Sequence, residues 1–380
     1  MWNTDTDITP MLLLAAILYV YVGYPVLLRI LTLTRHPESY GKRDSLPSVA
    51  LIITVHNEAD IIEKKLANTL ELDYPANLLE MVVASDCSDD GTDEIVGRYA
   101  ERGVRLLSMP ARRGKTPTLV EAVSATRSDL LVFSDGNAMY QPDAILKIIE
   151  PFHDGMVGVV CGGLTYSNAS ESPISQGEKL YWDYENSLKA LESRFNSLIG
   201  ANGSIYALRR EAFSEIDDDL SDDFGLPLAA YASGYLVKYQ PSALSTEEAP
   251  DGVLTGFRKK SRFVAHQLTT LARLWPDLRK RSDHRFLFQI ISHKLLRNLV
   301  PFILIALLAV CLMMPSIINT ILLEIQLWFY AAAGIGYLLQ SVGISLKLFM
   351  IPMYFCTVNA AAAVGVGQFL SRRNYAAWDD

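Results

Sequence analysis

The chain has little cysteine: Cys87, Cys161, Cys311 and Cys356 are its only four, and no two form a CxxC pair. That spacing supports neither a zinc site nor a disulfide framework. It also lacks a positive balance. With 34 Lys and Arg against 42 Asp and Glu, the formal net charge is −8, which excludes nucleic acid as the expected partner. Internal repeats, low-complexity tracts and long linkers are missing, so there is no sign of a repeat architecture. Charge is scarce near the N-terminus, where residues 8–33 hold one charged residue, Arg29, and residues 1–10 hold no Lys or Arg.

Half of the chain is hydrophobic and its mean hydropathy is +0.18, more apolar than an ordinary soluble protein. Yet 20% charged residues is too many for a chain lying wholly within a membrane. The apolar residues are concentrated at the ends. Residues 8–33 suffice for a spanning helix of about 20 residues. Residues 297–314, 322–346 (with Glu324 near the start) and 349–370 are three more candidates. An acidic front at residues 1–7 and the length of the first run read as a retained anchor rather than a signal peptide. The expected organisation is an N-terminal anchor with a basic juxtamembrane segment (1–43), one water-compatible domain (44–276), an interfacial amphipathic helix (277–297) and C-terminal transmembrane helices (298–380). Arg29, Arg35, Lys42 and Arg43 follow the first span, and Arg258, Lys259, Lys260, Arg262, Arg279, Lys280, Arg281, Arg285, Lys294 and Arg297 precede the second. This basic flanking places the domain in the cytoplasm at the inner (cell) membrane, with membrane lipids as partners. Arg372 and Arg373 run against that topology, since four spans would put them outside.

Within the domain, the β-branched run 49–55 reads as a buried strand ended by His56-Asn57-Glu58. Helical spacing follows over 59–70, then strand 79–84 ended by Ser85-Asp86, helix 93–101, strand 104–108, helix 116–125, strand 129–134 and strand 157–161. Strands alternating with helices predict an α/β fold with a mainly parallel sheet. Residues 176–198 form a long amphipathic stretch with Tyr181, Trp182 and Tyr184, followed by Gly200-Ala201-Asn202-Gly203, strand 204–208 and an acidic cluster at 217–223.

Asp135-Gly136-Asn137 lies at the carboxyl end of one strand, the edge at which open α/β sheets bind ligands. Alone it reads as a turn. A carboxylate and an amide two positions apart also suit a hard cation, Mg²⁺ or Mn²⁺, held by oxygen ligands and shared with a substrate diphosphate.

With these motifs in this order, the chain resembles the membrane-bound bacterial glycosyltransferases of family 2, the inverting GT-A type, and among them those of extracellular polysaccharide synthesis. The resemblance covers residues 48–270 by motif and the flanking spans by architecture. It implies a Rossmann-like GT-A cytoplasmic domain flanked by transmembrane α-helices. Asn57 and Glu58 then fall in the first nucleotide-contacting loop. Asp86 falls in the second, reading base and ribose, with Asp90 shaping that loop. Lys115 matches a phosphate contact. Asp135 and Asn137 match the metal-binding DxD motif, with an amide in place of the second carboxylate. Asn202 and Gly203 match the acceptor-side loop. Ser221-Asp222-Asp223 replaces the family's Thr-Glu-Asp, so Asp223 maps to the catalytic base, with Asp222 an alternative that the sequence does not separate from it. Lys259-Lys260-Ser261-Arg262-Phe263 stands for the Gln-x-x-Arg-Trp of processive members. Arg262 can still meet a diphosphate and Phe263 can still face an acceptor sugar.

The partners implied are a nucleotide-sugar donor, UDP-linked, a lipid-linked or growing glycan acceptor, and other polysaccharide-assembly proteins. A processive synthase that extrudes its polymer is the nearest alternative, although the missing Gln and Trp and the few spans count against it. The other is an inactive nucleotide-sugar-binding scaffold, to which Asn137 lends weight.

Overall fold

Strand β1 (Val49–Val55) is buried along its whole length, as a β-branched run must be when both faces of a parallel sheet are covered. The computed structural model describes residues 8–35, 45–168, 173–249, 252–281, 283–314, 316–342, 344 and 346–371. In it β1 lies inside an eight-stranded sheet with β2 (Leu79–Ser85), β3 (Val104–Ser108), β4 (Leu130–Asp135), β5 (Met139–Tyr140), β6 (Val157–Tyr166), β7 (Tyr206–Arg209) and β8 (Leu236–Glu247). The order is β3-β2-β1-β4-β7-β6-β8-β5. β1, β2, β3 and β4 run parallel, as do β6 and β8, whereas β7 is antiparallel to β4 and β6, and β5 to β8. The sheet is therefore mixed, and its parallel half is the part that the alternating pattern predicted.

Register brings the carboxyl ends together: Val55 pairs with Ser85 and Thr54 with Asp135. Because β7 reverses direction, Tyr206 pairs with Phe133 and the loop before β7 crosses the end of β4. Asp135 N–H donates to Gly203 O at 3.2 Å. Side chains alternate along β1, so Leu51 and Ile53 enter one core layer while Ala50 and Ile52 enter the other. The second layer extends to Tyr231 of helix Asp222–Ala232 and to Phe286, whose rings stack 3.6 Å apart.

Among the described residues, four helices are long and apolar enough to cross a membrane: Thr9–Leu31, His284–Met313, Ile317–Gln340 and Lys347–Leu370. Each overlaps one of the expected stretches, although the second begins well before residue 297 and the third ends before residue 346. Segment 277–297 is shared between two elements. Its first residues close helix Val253–Lys280, and Asp283 then caps the next helix by accepting the N–H groups of Arg285 (2.9 Å) and Phe286 (3.4 Å). Residues 1–7, Lys42, Arg43, Arg372 and Arg373 lie outside the described residues.

Other expectations need correction. The helix expected over 93–101 is Thr92–Gly97 followed by a 3₁₀ turn at Ala100–Arg102, since Gly97 and the capping geometry end it early. Strand β8 and helix Val253–Lys280 had no sequence reading. Lys238, Gln240 and Pro241 break the strand pattern in β8, and the sheet absorbs them in an irregularity opposite Gly162 and Gly163.

Candidate active site

At the carboxyl edge a cavity of about 360 Å³ opens between the sheet, the loop 200–204, the start of helix Asp222–Ala232 and helix Val253–Lys280. Of the sequence-derived candidates, Lys115, Asp135, Asn202, Gly203, Asp222, Asp223, Arg262 and Phe263 line it. Asn57, Glu58, Asp86 and Asn137 do not.

Lys115 is the hub. It opens helix Lys115–Ser124, and its Nζ lies 2.6 Å from Asp135 Oδ1 and 3.4 Å from Asp222 Oδ1. Burial disfavours its charge, but Asp135, Asp222 and Asp223 together hold its pKa above the usual lysine range. Burial pushes Asp135 up and Lys115 more than reverses that, leaving its pKa below the ordinary aspartate value. Gly203 leaves room for this pair: a Cβ would come within 2.7 Å of Asp135 Oδ2 and 3.2 Å of Lys115 Nζ, so the Asp135 carboxylate would have to shift.

The two adjacent aspartates differ. Asp222 is 3% exposed, accepts the Tyr206 hydroxyl at 2.7 Å on Oδ2 and faces Lys115 with Oδ1, so both its oxygens are occupied. Asp223 accepts the Ser221 hydroxyl on Oδ1. Burial first, then the charge of Asp222, pushes its pKa up to about 6, against the pull of Lys115. Its backbone carbonyl accepts Ala201 N–H at 2.8 Å, which ties helix Asp222–Ala232 to the neighbouring loop.

Several candidates act on the frame of the site. Asp86 is fully buried, and its oxygens accept Arg113 N–H (2.8 Å), Gly114 N–H (2.8 Å) and the Thr118 hydroxyl (3.1 Å). It shapes the loop that delivers Lys115. Asn202 is likewise engaged, with its amide donating to Gly162 O and its Oδ1 accepting from Ser204 and Ile205. Asn57, in the left-handed region at φ +54°, receives Asp89 N–H on Oδ1 at 3.0 Å, and Glu58 N–H donates to Thr92 Oγ1 at 2.9 Å. The two loops are thus stitched together. Asp90 joins them, accepting from Ala59 and Thr92. Arg262 and Phe263 project from helix Val253–Lys280, with Phe263 41% exposed.

Two groups escaped the sequence reading. Glu247 ends β8 in the cavity lining, with its pKa pushed up to about 7 by burial and by Asp135. Lys65 is fully buried beneath the Asp135 turn, donates to Ala138 O and lies 3.9 Å from the Tyr140 ring. Burial pulls its pKa down to about 7 despite Asp135 and Glu247. In sequence, a helical Lys and a glutamate after an irregular strand give no signal.

The oxygen donors fit a hard divalent cation. Among the described residues no three His, Cys, Asp or Glu groups form a closed metal cage. Asp135, with exposed Asn137 two residues beyond it, offers few protein oxygens, which suits a cation that keeps waters and takes phosphate oxygens as its remaining ligands.

A family model described as Glycosyl transferase family 2 matches residues 50–217. An N-acetylglucosaminyltransferase of Mesorhizobium japonicum is 26% identical over 239 residues, covering 57% of this chain and 55% of that protein. A poly-beta-1,6-N-acetyl-D-glucosamine synthase of Staphylococcus aureus is 25% identical over 218 residues, covering 55% of this chain and 52% of that one. The matches thus span just over half the length of these curated relatives. A mannosyltransferase from Pyrobaculum calidifontis, solved with GDP-Man and Mn²⁺, superposes with a TM-score of 0.73 at 22% identity, over 96% of this chain and 100% of that one. That likeness establishes the shared fold.

Proposed function

From the match of a Glycosyl transferase family 2 model to residues 50–217, we propose that the chain acts as a member of that family and transfers a sugar, with inversion, from a UDP-linked donor to a lipid-linked or growing glycan acceptor at the cytoplasmic membrane face. The observation that carries this reading is the convergence of Lys115, Asp135, Asp222 and Asp223 on one cavity.

Inversion at an anomeric carbon is one in-line displacement, and it needs a base on the incoming hydroxyl. Asp223 is the better base. Its pKa of about 6 leaves it ionised at neutral pH yet a stronger base than an ordinary aspartate, whereas Asp222 is held by Tyr206 and Lys115. Lys115 supplies a fixed positive charge for the donor phosphates, and Arg262 in the cavity lining would be a second. Asp135 and Asn137 would hold Mg²⁺ or Mn²⁺, which when bound neutralises charge on the leaving diphosphate. Asn57, Glu58 and Asp86 build the donor-side loops, and Phe263 offers an aromatic face to the acceptor. Basic residues on both flanks of the domain support its cytoplasmic side.

The test is a donor screen on purified, detergent-solubilised full chain with Mn²⁺ or Mg²⁺, reading release of UDP or GDP. UDP release from one nucleotide sugar, lost with EDTA and in Asp135→Ala, is the expected result. Equal rates in folded Asp135→Ala and Asp223→Ala variants would sink the reading.

A further inference from the structure

Beyond Asp222 and Asp223 the cavity continues to the first turns of helix His284–Met313, where Lys189 and Lys294 line it beside Glu185, Glu192 and His293. Both carboxylates there are already committed. Glu185 pairs with Arg297 and lies 3.4 Å from His293 Nε2. Glu192 Oε1 lies 2.9 Å from His293 Nδ1 and accepts the Tyr24 hydroxyl at 2.7 Å. Among the described residues no carboxylate oxygen comes within 4.0 Å of either lysine. Lys189, 7% exposed, faces Cys161 Sγ at 3.7 Å and the Trp182 ring at 5.1 Å. Lys294 faces the ring of Phe224, the residue after Asp223, at 5.9 Å.

The two ammonium groups lie within electrostatic reach of each other. Glu185 and Glu192 act on Lys294 only from beyond ion-pair distance, their oxygens being taken by Arg297 and His293, so two like charges withdrawn from water here leave room for an anion between them. Lys294 also belongs to the π-helical turn Ile290–Leu295, a local widening that re-aims side chains and recurs at functional sites. Both lysines line the cavity that also holds Lys115, Asp135 and Asp223, without being ion-paired to any of those carboxylates.

We propose that Lys189 and Lys294 form an anion subsite for the acceptor, which is therefore a phosphate-bearing molecule whose hydroxyl is presented to Asp223. This rests on the transfer reading above and identifies its acceptor class. The phosphate chemistry could belong to a lipid headgroup or to a soluble phosphate. The lipid is favoured because Lys294 precedes, on the same helix, the apolar stretch after Arg297 that is long enough to enter a membrane, so a headgroup would be the part of a lipid nearest to it.

The test is equilibrium binding to detergent-solubilised full chain with farnesyl phosphate, farnesol and inorganic phosphate as probes. Farnesyl phosphate is expected to bind at least about tenfold more tightly than farnesol, the worth of one charge-assisted contact. Lys189→Gln and Lys294→Gln should each weaken it about tenfold, and Lys294→Arg should retain it, which separates lost charge from lost fold. Inorganic phosphate competing as well as farnesyl phosphate would keep the subsite and assign it to a soluble acceptor. Farnesol binding as tightly as farnesyl phosphate, or unchanged binding in both Gln variants, would overturn the proposal. Because binding requires no transfer, a chain that holds farnesyl phosphate at these lysines but releases no nucleotide would keep the subsite and lose the activity reading. Transfer to a neutral acceptor that is indifferent to both lysines would do the reverse.

Discussion

Lys115 Nζ reaches Asp222 Oδ1 at 3.4 Å while already holding Asp135 at 2.6 Å, so one ammonium group joins the carboxylate at the end of β4 to the Asp222-Asp223 pair. Strand β4, helix Lys115–Ser124 and helix Asp222–Ala232 therefore share one charge balance. Removing any member changes the others.

Lys115→Met should lower nucleotide release about a hundredfold, the usual scale for losing one preorganised positive donor. It should also shift the acid limb of the pH profile upward, because Lys115 holds the Asp223 pKa down. Lys115→Arg should recover part of the rate. Steady-state kinetics across pH on folded variants decide this, and an unmoved acid limb counts against the shared balance.

The rate should rise with pH around a midpoint near 6 as Asp223 ionises. Asp223→Asn should abolish that limb and cut transfer by roughly a thousandfold. Stability runs the other way. The Asp223 carboxyl is raised in the fold from an unfolded value near about 3.9, so the native state binds more protons between those pH values. Its contribution is present at low pH and is lost as pH rises through about 6. Asp223→Asn should consequently melt a few degrees above the parent at pH 8, by roughly the scale expected for a modest gain in stability. A lower melting temperature at pH 8 would contradict the burial account.

Gly203→Ala should leave the fold intact and depress activity by about tenfold or more, since its Cβ would crowd Asp135 Oδ2 at 2.7 Å. The readout is a melting curve beside nucleotide release. Full activity would mean that the Asp135 carboxylate is free to move aside.

Asp86→Ala should cost about 1–3 kcal/mol by orphaning the N–H groups of Arg113 and Gly114. Activity should fall as well, because Lys115 follows them directly. Chemical denaturation with an unchanged m-value is the measurement, and an unchanged midpoint would restrict Asp86 to ligand contact alone.

Much of this was legible in the residues. The strands β1, β2 and β4 announce themselves because buried parallel strands are continuous apolar runs, and the polar groups that end them are the site candidates. The apolar ends likewise mark the four long helices. Strand β8 was silent, since Lys238, Gln240 and Pro241 interrupt its pattern, and with it Glu247 was missed. Segment 277–297 read as a single amphipathic stretch, while the Asp283 cap divides it between two helices.

By itself the sequence determined the alternating α/β order, the apolar ends and the motif residues, because periodicity and end-of-strand chemistry are local. The tertiary structure alone decided which of those residues meet. Antiparallel β7 carries Gly203 to Asp135, and the fold around Lys115 makes Asp222 a held carboxylate and Asp223 the raised one. Their difference is a matter of which neighbours surround each oxygen, and two adjacent aspartates in a sequence carry no record of that.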